Sequence, residues 1–202
     1  MFAQIIRGKV SDPAAVRRVI DKWMTELGPT ATGWLGSTSG ISDDNELFLL
    51  ARFESEDAAR ANSDKPEQGQ WWAEMQSLFD GEAAFQDSTD VDVDTRGELD
   101  HAGFVQVMTG QTSDLERTRE LMAESRDDRV ALRPDILGQV AIAHQDSRFT
   151  FINYFTSEAE ARDGESKPVP PELMKTLTVL GELRVGELEY LVLRSPWLDS
   201  PA

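Results

Sequence analysis

Phe53-Glu54-Ser55-Glu56-Asp57-Ala58-Ala59-Arg60 leads on to Lys65-Pro66, and Phe155-Thr156-Ser157-Glu158-Ala159-Glu160-Ala161-Arg162 leads on to Lys167-Pro168. Phe, Ser, Glu, Ala, Arg, Lys and Pro recur at a constant offset of 102 residues. The same offset pairs Phe2 with Phe104, Gln4 with Gln106, Gly8 with Gly110, and Leu35-Gly36 with Leu137-Gly138. Between residues 2–66 and 104–168 there are 16 identities in 65 ungapped positions, where roughly 4 are expected by chance. The chain reads as a tandem duplication, and one copy sets the plan for both.

Around that stretch the first copy builds outward. Residues 2–10 are apolar and β-rich, apolar on both faces: Phe2, Ile6 and Val10 on one, Ala3 and Ile5 on the other. Ser11-Asp12-Pro13 starts a helix, with a capping side chain and then proline in the first turn. Val16, Val19, Ile20, Trp23, Met24 and Leu27 give it one apolar face, and Gly28-Pro29 ends it. Residues 32–41 and 46–53 form a hairpin about Asp43-Asp44-Asn45. Ser55 caps an acidic helix that Pro66 interrupts and residues 70–79 resume; residues 83–93 read as a last strand. The order is βαββαβ, ferredoxin-like.

The second copy follows suit. Residues 103–111 are a strand, Ser113 caps a helix to about Arg126, and residues 134–144 and 148–155 form the hairpin. Ser157 caps a short helix, Pro168, Pro170 and Pro171 interrupt it, and residues 182–194 close the sheet. The division is repeat 1 over residues 1–95, a linker over 96–102, repeat 2 over 103–195 and a tail over 196–202. The fold class is α+β: two ferredoxin-like repeats whose antiparallel sheets each leave a bare face. The matching face of the other copy is the expected cover. Packed face to face, the two make an intrachain α/β barrel and a pseudo-dimer within one chain; further homodimerisation is left open.

Charge and composition narrow the function. The chain carries 20 basic and 37 acidic residues, a net charge of −17. Such a surface repels phosphate backbones, so no nucleic-acid partner is expected. Without cysteine there is no disulfide framework and no thiolate chemistry. The opening Met1-Phe2-Ala3-Gln4-Ile5-Ile6-Arg7 does not read as a signal peptide, and no apolar run nears the roughly 20 residues of a membrane helix. A cytoplasmic protein with no membrane partner is the expectation. Asp90, Asp92 and Asp94 suggest a calcium loop, but Thr95 stands where the turn needs Gly and His101 where the loop needs Glu, so calcium is rejected. Two histidines are too few for a transition-metal site, and no metal is expected.

The strand Leu47-Phe48-Leu49-Leu50-Ala51-Arg52-Phe53 followed by Glu54-Ser55-Glu56-Asp57-Ala58 resembles the strand-then-capped-helix signature of the dimeric α/β-barrel superfamily. It is most similar there to the antibiotic-biosynthesis-monooxygenase-like (ABM) domains. The resemblance covers both repeats. It implies a fold shared by cofactor-independent quinone-forming monooxygenases, haem-degrading enzymes and members of unassigned activity. The histidine that such members often carry after the Ser-Glu cap is missing from residues 60–66 and 162–168 alike. Haem is therefore not expected, and no cofactor is assigned.

Candidate ligand-binding residues follow from position. Trp71-Trp72 has no counterpart in the second half, and adjacent helical residues point about 100° apart, so one can pack in the core while the other faces a cavity. Trp34, Trp23 and Phe48 could join an aromatic pocket, with core packing as the plain alternative. Gln4 and Gln106 sit mid-strand, where a buried amide must find a partner in protein or ligand. Arg7, Arg52, Asn62, Asn153, Tyr154 and His144 could supply polar contacts to an enolate or carboxylate; His144 otherwise reads as a turn-exposed histidine. No nucleophile–base spacing, phosphate loop or dinucleotide fingerprint is present, and catalytic residues are unassigned. The implied function is a small-molecule-binding barrel acting as a cofactor-independent monooxygenase on an aromatic or polyketide-like ligand. The alternative is a non-enzymatic ligand-binding or stress-related barrel. A barrel interior filled by side chains leaves only a structural role, so the interior discriminates.

Overall fold

Alternation and capping place the elements of the first unit. They run β1 (Phe2–Lys9), α1 (Pro13–Glu26), β2 (Trp34–Ile41), β3 (Glu46–Phe53), α2 (Glu56–Ser63), α3 (Pro66–Gln76) and β4 (Ala84–Ser88). α1 begins where Asp12 Oδ1 accepts from the Ala15 N–H at 2.9 Å, and Pro13 follows where no donor is needed. α2 begins where Ser55 Oγ accepts from the Ala58 N–H at 3.1 Å. The computed structural model describes residues 1–201, which divide into two units. One is Met1–Val91 with the chain from Ser195 onward; the other is Asp92–Arg194.

In the first unit, Phe2, Gln4 and Ile6 point toward the helices while Ala3, Ile5 and Arg7 point the other way. Phe2, Ala3, Ile5 and Ile6 are all buried. On the helix side Ile6, Val10, Leu47 and Leu49 pack with Val16, Val19 and Ile20 of α1 and with Trp71 and Met75 of α3. A buried aliphatic side chain contributes about 1.5–3 kcal/mol there. That packing holds α1 and α3 over the sheet.

The second unit runs β5 (Val91–Thr95), β6 (Phe104–Thr112), α4 (Leu115–Glu124), α5 (Arg126–Leu132), β7 (Ile136–Ala143), β8 (Arg148–Phe155), α6 (Glu158–Ser166), α7 (Pro171–Leu183) and β9 (Arg184–Leu193). A last short strand, β10 (Trp197–Asp199), returns to the first unit. The two antiparallel sheets are ordered β10-β2-β3-β1-β4 and β5-β7-β8-β6-β9. Their register repeats. Phe2↔Phe53 through Lys9↔Glu46 in β1–β3 recurs 102 residues later as Phe104↔Phe155 through Gln111↔Arg148 in β6–β8. The bulge between Trp34 and Gly36 recurs between Ile136 and Gly138.

Three local readings change. Residues 83–93 form two strands, because Ser88 Oγ accepts from the Asp90 N–H at 3.0 Å and turns the chain; β4 stays in the first sheet and β5 pairs with β7. Asp114, not Ser113, caps α4, with Oδ1 accepting from the Arg117 N–H at 2.9 Å; the Ser113 hydroxyl donates to the Leu183 carbonyl instead. Residues 197–199, read as tail, pair with Ser37–Ser39 of β2. Among the described residues no helix is long and apolar enough to cross a membrane.

Candidate ligand cavity in the first unit

Between the helix-facing side of the first sheet and the helices lies a cavity of about 270 Å³. Gln4 and Ile6 of β1, with Leu49 and Ala51 of β3, form its floor. Small side chains make the room: Ala51, Ala59, Ser37 and Ser63 all line it. Its aromatic wall is three indoles meeting edge to face. Trp23 lies 4.9 Å from Trp34 and 6.5 Å from Trp71 between ring centroids, at interplanar angles of 70° and 62°. Such pairs add about 0.5–1.5 kcal/mol beyond their buried area. They hold the wall rigid.

The polar atoms of the wall divide into the satisfied and the unsatisfied. Trp71 Nε1 donates to the Val19 carbonyl at 2.7 Å, and Trp23 Nε1 donates to Gln68 Oε1 at 2.8 Å. Both indoles thus offer a ligand only their rings. Gln4 Nε2 donates to Asp87 Oδ1 at 2.9 Å, across the β1–β4 ladder where Gln4 and Asp87 are partners. Asn62 Nδ2 donates to Gln68 Oε1 at 3.3 Å, while Asn62 Oδ1 is buried without a hydrogen-bond partner among the described residues. The residue is only 5 % exposed. An unpaired buried acceptor costs about 1–3 kcal/mol, and an O–H or N–H in the cavity removes that cost. On the exposed side Arg60 Nη2 pairs with Glu56 Oε1 at 2.9 Å, and both side chains line the opening with Asp87.

Of the sequence candidates, Gln4, Trp34, Asn62 and Trp71 come together in this cavity, with Trp23. Trp72 turns away: its ring lies 5.1 Å from Phe85 and 6.2 Å from Phe79. Arg7, Phe48 and Arg52 lie on the opposite face of the sheet, since the odd positions of β1 and the even positions of β3 point away from the helices. Arg7 pairs there with Glu46 at 2.7 Å. Gln68, Arg60, Ser37 and Asp87 escaped the sequence reading. The parity that places Gln4 and Ala51 on the floor was available for the sheet, but not for helix residues set by packing.

In the second unit Gln106 and Asn153 face the helices. Gln106 Nε2 donates to Glu165 Oε1 at 3.0 Å, and Asn153 Oδ1 accepts from Gln139 Nε2 at 2.6 Å. Tyr154 is buried on the other face. His144 is buried rather than turn-exposed: its Nε2 lies 2.9 Å from Thr150 Oγ1, and Nδ1 has no partner among the described residues. Burial, aided by nearby Arg148, holds its pKa below the ordinary histidine value. These four do not converge on one site.

No protein-family model and no curated protein matches the chain by sequence. Solved structures match it in fold. A candidate monooxygenase of Lactobacillus acidophilus NCFM superposes with a TM-score of 0.78 at 13 % identity, over 100 % of this chain and 96 % of that one. An anthrone oxidase-like protein gives 0.67 at 9 % identity, over 100 % and 93 %. A ferredoxin-fold protein of Listeria monocytogenes 4b F2365, related to antibiotic biosynthesis monooxygenases, gives 0.50 at 12 % identity, over 100 % and 95 %. The resemblance seen in the sequence therefore holds at the level of fold, along the whole chain.

Proposed function

We propose that the first-unit cavity binds a hydroxylated polycyclic aromatic molecule and promotes its oxygenation without a cofactor. One observation carries the reading: an indole-walled cavity whose single buried polar atom without a partner among the described residues is the acceptor Asn62 Oδ1. The apolar rings take the flat body of the ligand, and Asn62 takes a hydroxyl hydrogen, which fixes orientation. Arg60 at the opening leaves its exposed pair with Glu56 to meet a developing substrate anion. For an anthrone-like substrate the net change is a ring methylene and O2 becoming a ring carbonyl and water. Full-length likeness in fold to candidate monooxygenases and to an anthrone oxidase-like protein supports the class of chemistry.

The test is oxygen uptake with a panel of hydroxyanthrones and hydroquinones, read beside quenching of tryptophan fluorescence. Quenching with uptake supports the proposal. Quenching without uptake across the panel favours the second reading, a ligand-binding barrel without turnover. That reading has its own support: the buried free group is an acceptor, which favours a protonated, unreactive hydroxyl.

A further inference from the structure

We infer that only the first repeat of the duplication keeps a ligand site, because in the second repeat an ion pair built on Arg133 and Asp135 occupies the corresponding space. The inference rests on the reading that the first-unit cavity takes the ligand.

The shared register makes the comparison residue by residue. Where the first unit has Asn62, the second has Gly164 at the 102-residue offset, and where the first has Gly33, the second has Asp135. Gly33 sits at φ +75°, and a Cβ there would stand 2.9 Å from Ala58 Cβ and 3.4 Å from Glu54 Oε2, so no side chain grows from this position in the first unit. In the second unit the corner is full. A Cβ on Gly164 would collide with the Asp135 carboxylate and would stand 2.7 Å from Arg133 Nε. Arg133 Nη2 donates to Asp135 Oδ2 at 2.8 Å and to the Ala161 carbonyl at 3.2 Å. Its guanidinium lies 5.5 Å from the Phe155 ring centroid, over the counterpart of Phe53, which lines the first cavity.

The second floor carries more polar groups, and these are already paired. Ala51 and Ser37 of the first cavity correspond to Asn153 and Gln139, which bond each other at 2.6 Å. Ser63 corresponds to Glu165, which Gln106 and Arg162 hold from two sides. Partial burial pushes the Glu165 carboxyl up, but those hydrogen bonds outweigh it and the net shift is downward. The second unit contains no tryptophan. An apolar ligand entering there must break a partly buried ion pair and strand its charges, whereas in the first unit it relieves an unpaired oxygen.

The probe is 1-naphthol, titrated into the full chain by calorimetry and by tryptophan fluorescence. All five tryptophans lie in the first unit and three of them, Trp23, Trp34 and Trp71, line its cavity, so quenching reports on that unit and not on the second. A single equivalent of heat that tracks the quenching supports the inference. Two equivalents, or one that leaves the fluorescence unchanged, overturns it. Absence of both heat and quenching overturns the cavity reading beneath it as well. The double variant Arg133→Ala, Asp135→Gly leaves the quenching curve unchanged and gains a second, weaker equivalent. If its stoichiometry stays at one, the pair is not what closes that half.

Discussion

The Asn62 amide donates through Nδ2 to Gln68 Oε1 at 3.3 Å, and the same oxygen accepts from Trp23 Nε1 at 2.8 Å. Gln68 thereby fixes which way the Asn62 amide faces. With its nitrogen committed to α3, only the oxygen is left for the cavity. The polarity that a ligand meets is set by a residue on the next helix.

Replacing Asn62 by Leu separates binding from folding. It removes a buried oxygen that has no partner, so stability holds or rises by up to about 1 kcal/mol. Affinity for 1-naphthol falls by about tenfold, roughly one hydrogen bond, while naphthalene, which has no hydroxyl, binds as before. Thermal unfolding and fluorescence titration read the two effects; a parallel loss for both probes would sink the assignment of Asn62 as hydroxyl acceptor.

Neighbouring tryptophans respond unequally. Trp71 is 8 % exposed and donates to the Val19 carbonyl, so Trp71→Ala costs about 3–5 kcal/mol through the void and the lost hydrogen bond. Trp72 is only partly buried, beside exposed Phe85, and Trp72→Ala costs less than half as much, below about 2 kcal/mol. Denaturant unfolding of the two variants gives the comparison.

His144 makes the chain sensitive to acid. Its folded pKa lies below the ordinary value because burial disfavours the cation. As pH falls through the ordinary histidine range the unfolded chain takes up a proton that the folded chain resists, so stability drops toward acid. His144→Gln keeps a polar partner for Thr150 and flattens that slope. Melting temperatures from pH 8 to pH 5 show whether it does.

Asp199 acts in the opposite sense. Burial pushes its carboxyl up; attraction to Arg17 offsets part of this and repulsion from Asp21 adds to it. Its Oδ2 is buried without a partner among the described residues. The folded state therefore holds the proton more tightly, and the stability this confers in acid is lost as pH rises through the folded pKa. Asp199→Asn melts higher than the parent at pH 7, and the difference closes as pH falls through the raised folded pKa toward the ordinary carboxylate value. A difference that stays constant with pH would refute the linkage.

Periodicity made the strands legible, and duplication made them more so. Parity along β1 sets Gln4 with Phe2 and Ile6, and the structure agrees. The same parity excludes Arg7, and reading β3 by the same rule excludes Arg52 and Phe48. Asn62 and Trp71 were reachable from spacing within their helices. Gln68 and Arg60 were not, because their place depends on how α2 and α3 meet the sheet. His144 follows a strand and precedes Gln145-Asp146, so its sequence resembles a turn; only the cross-strand partner Thr150 reveals its burial. β10 is three residues long, too short for any periodicity.

That short strand has a temporal consequence. Trp197–Asp199 joins Ser37–Ser39 across roughly 160 residues of intervening chain, a separation that slows closure far more than a hairpin does. On the ribosome, β1 to β4 can assemble early, yet the border strand beside β2 arrives only after the whole second unit has been synthesised. Until then the flank of β2 that carries Ser37 is open to the wrong neighbour.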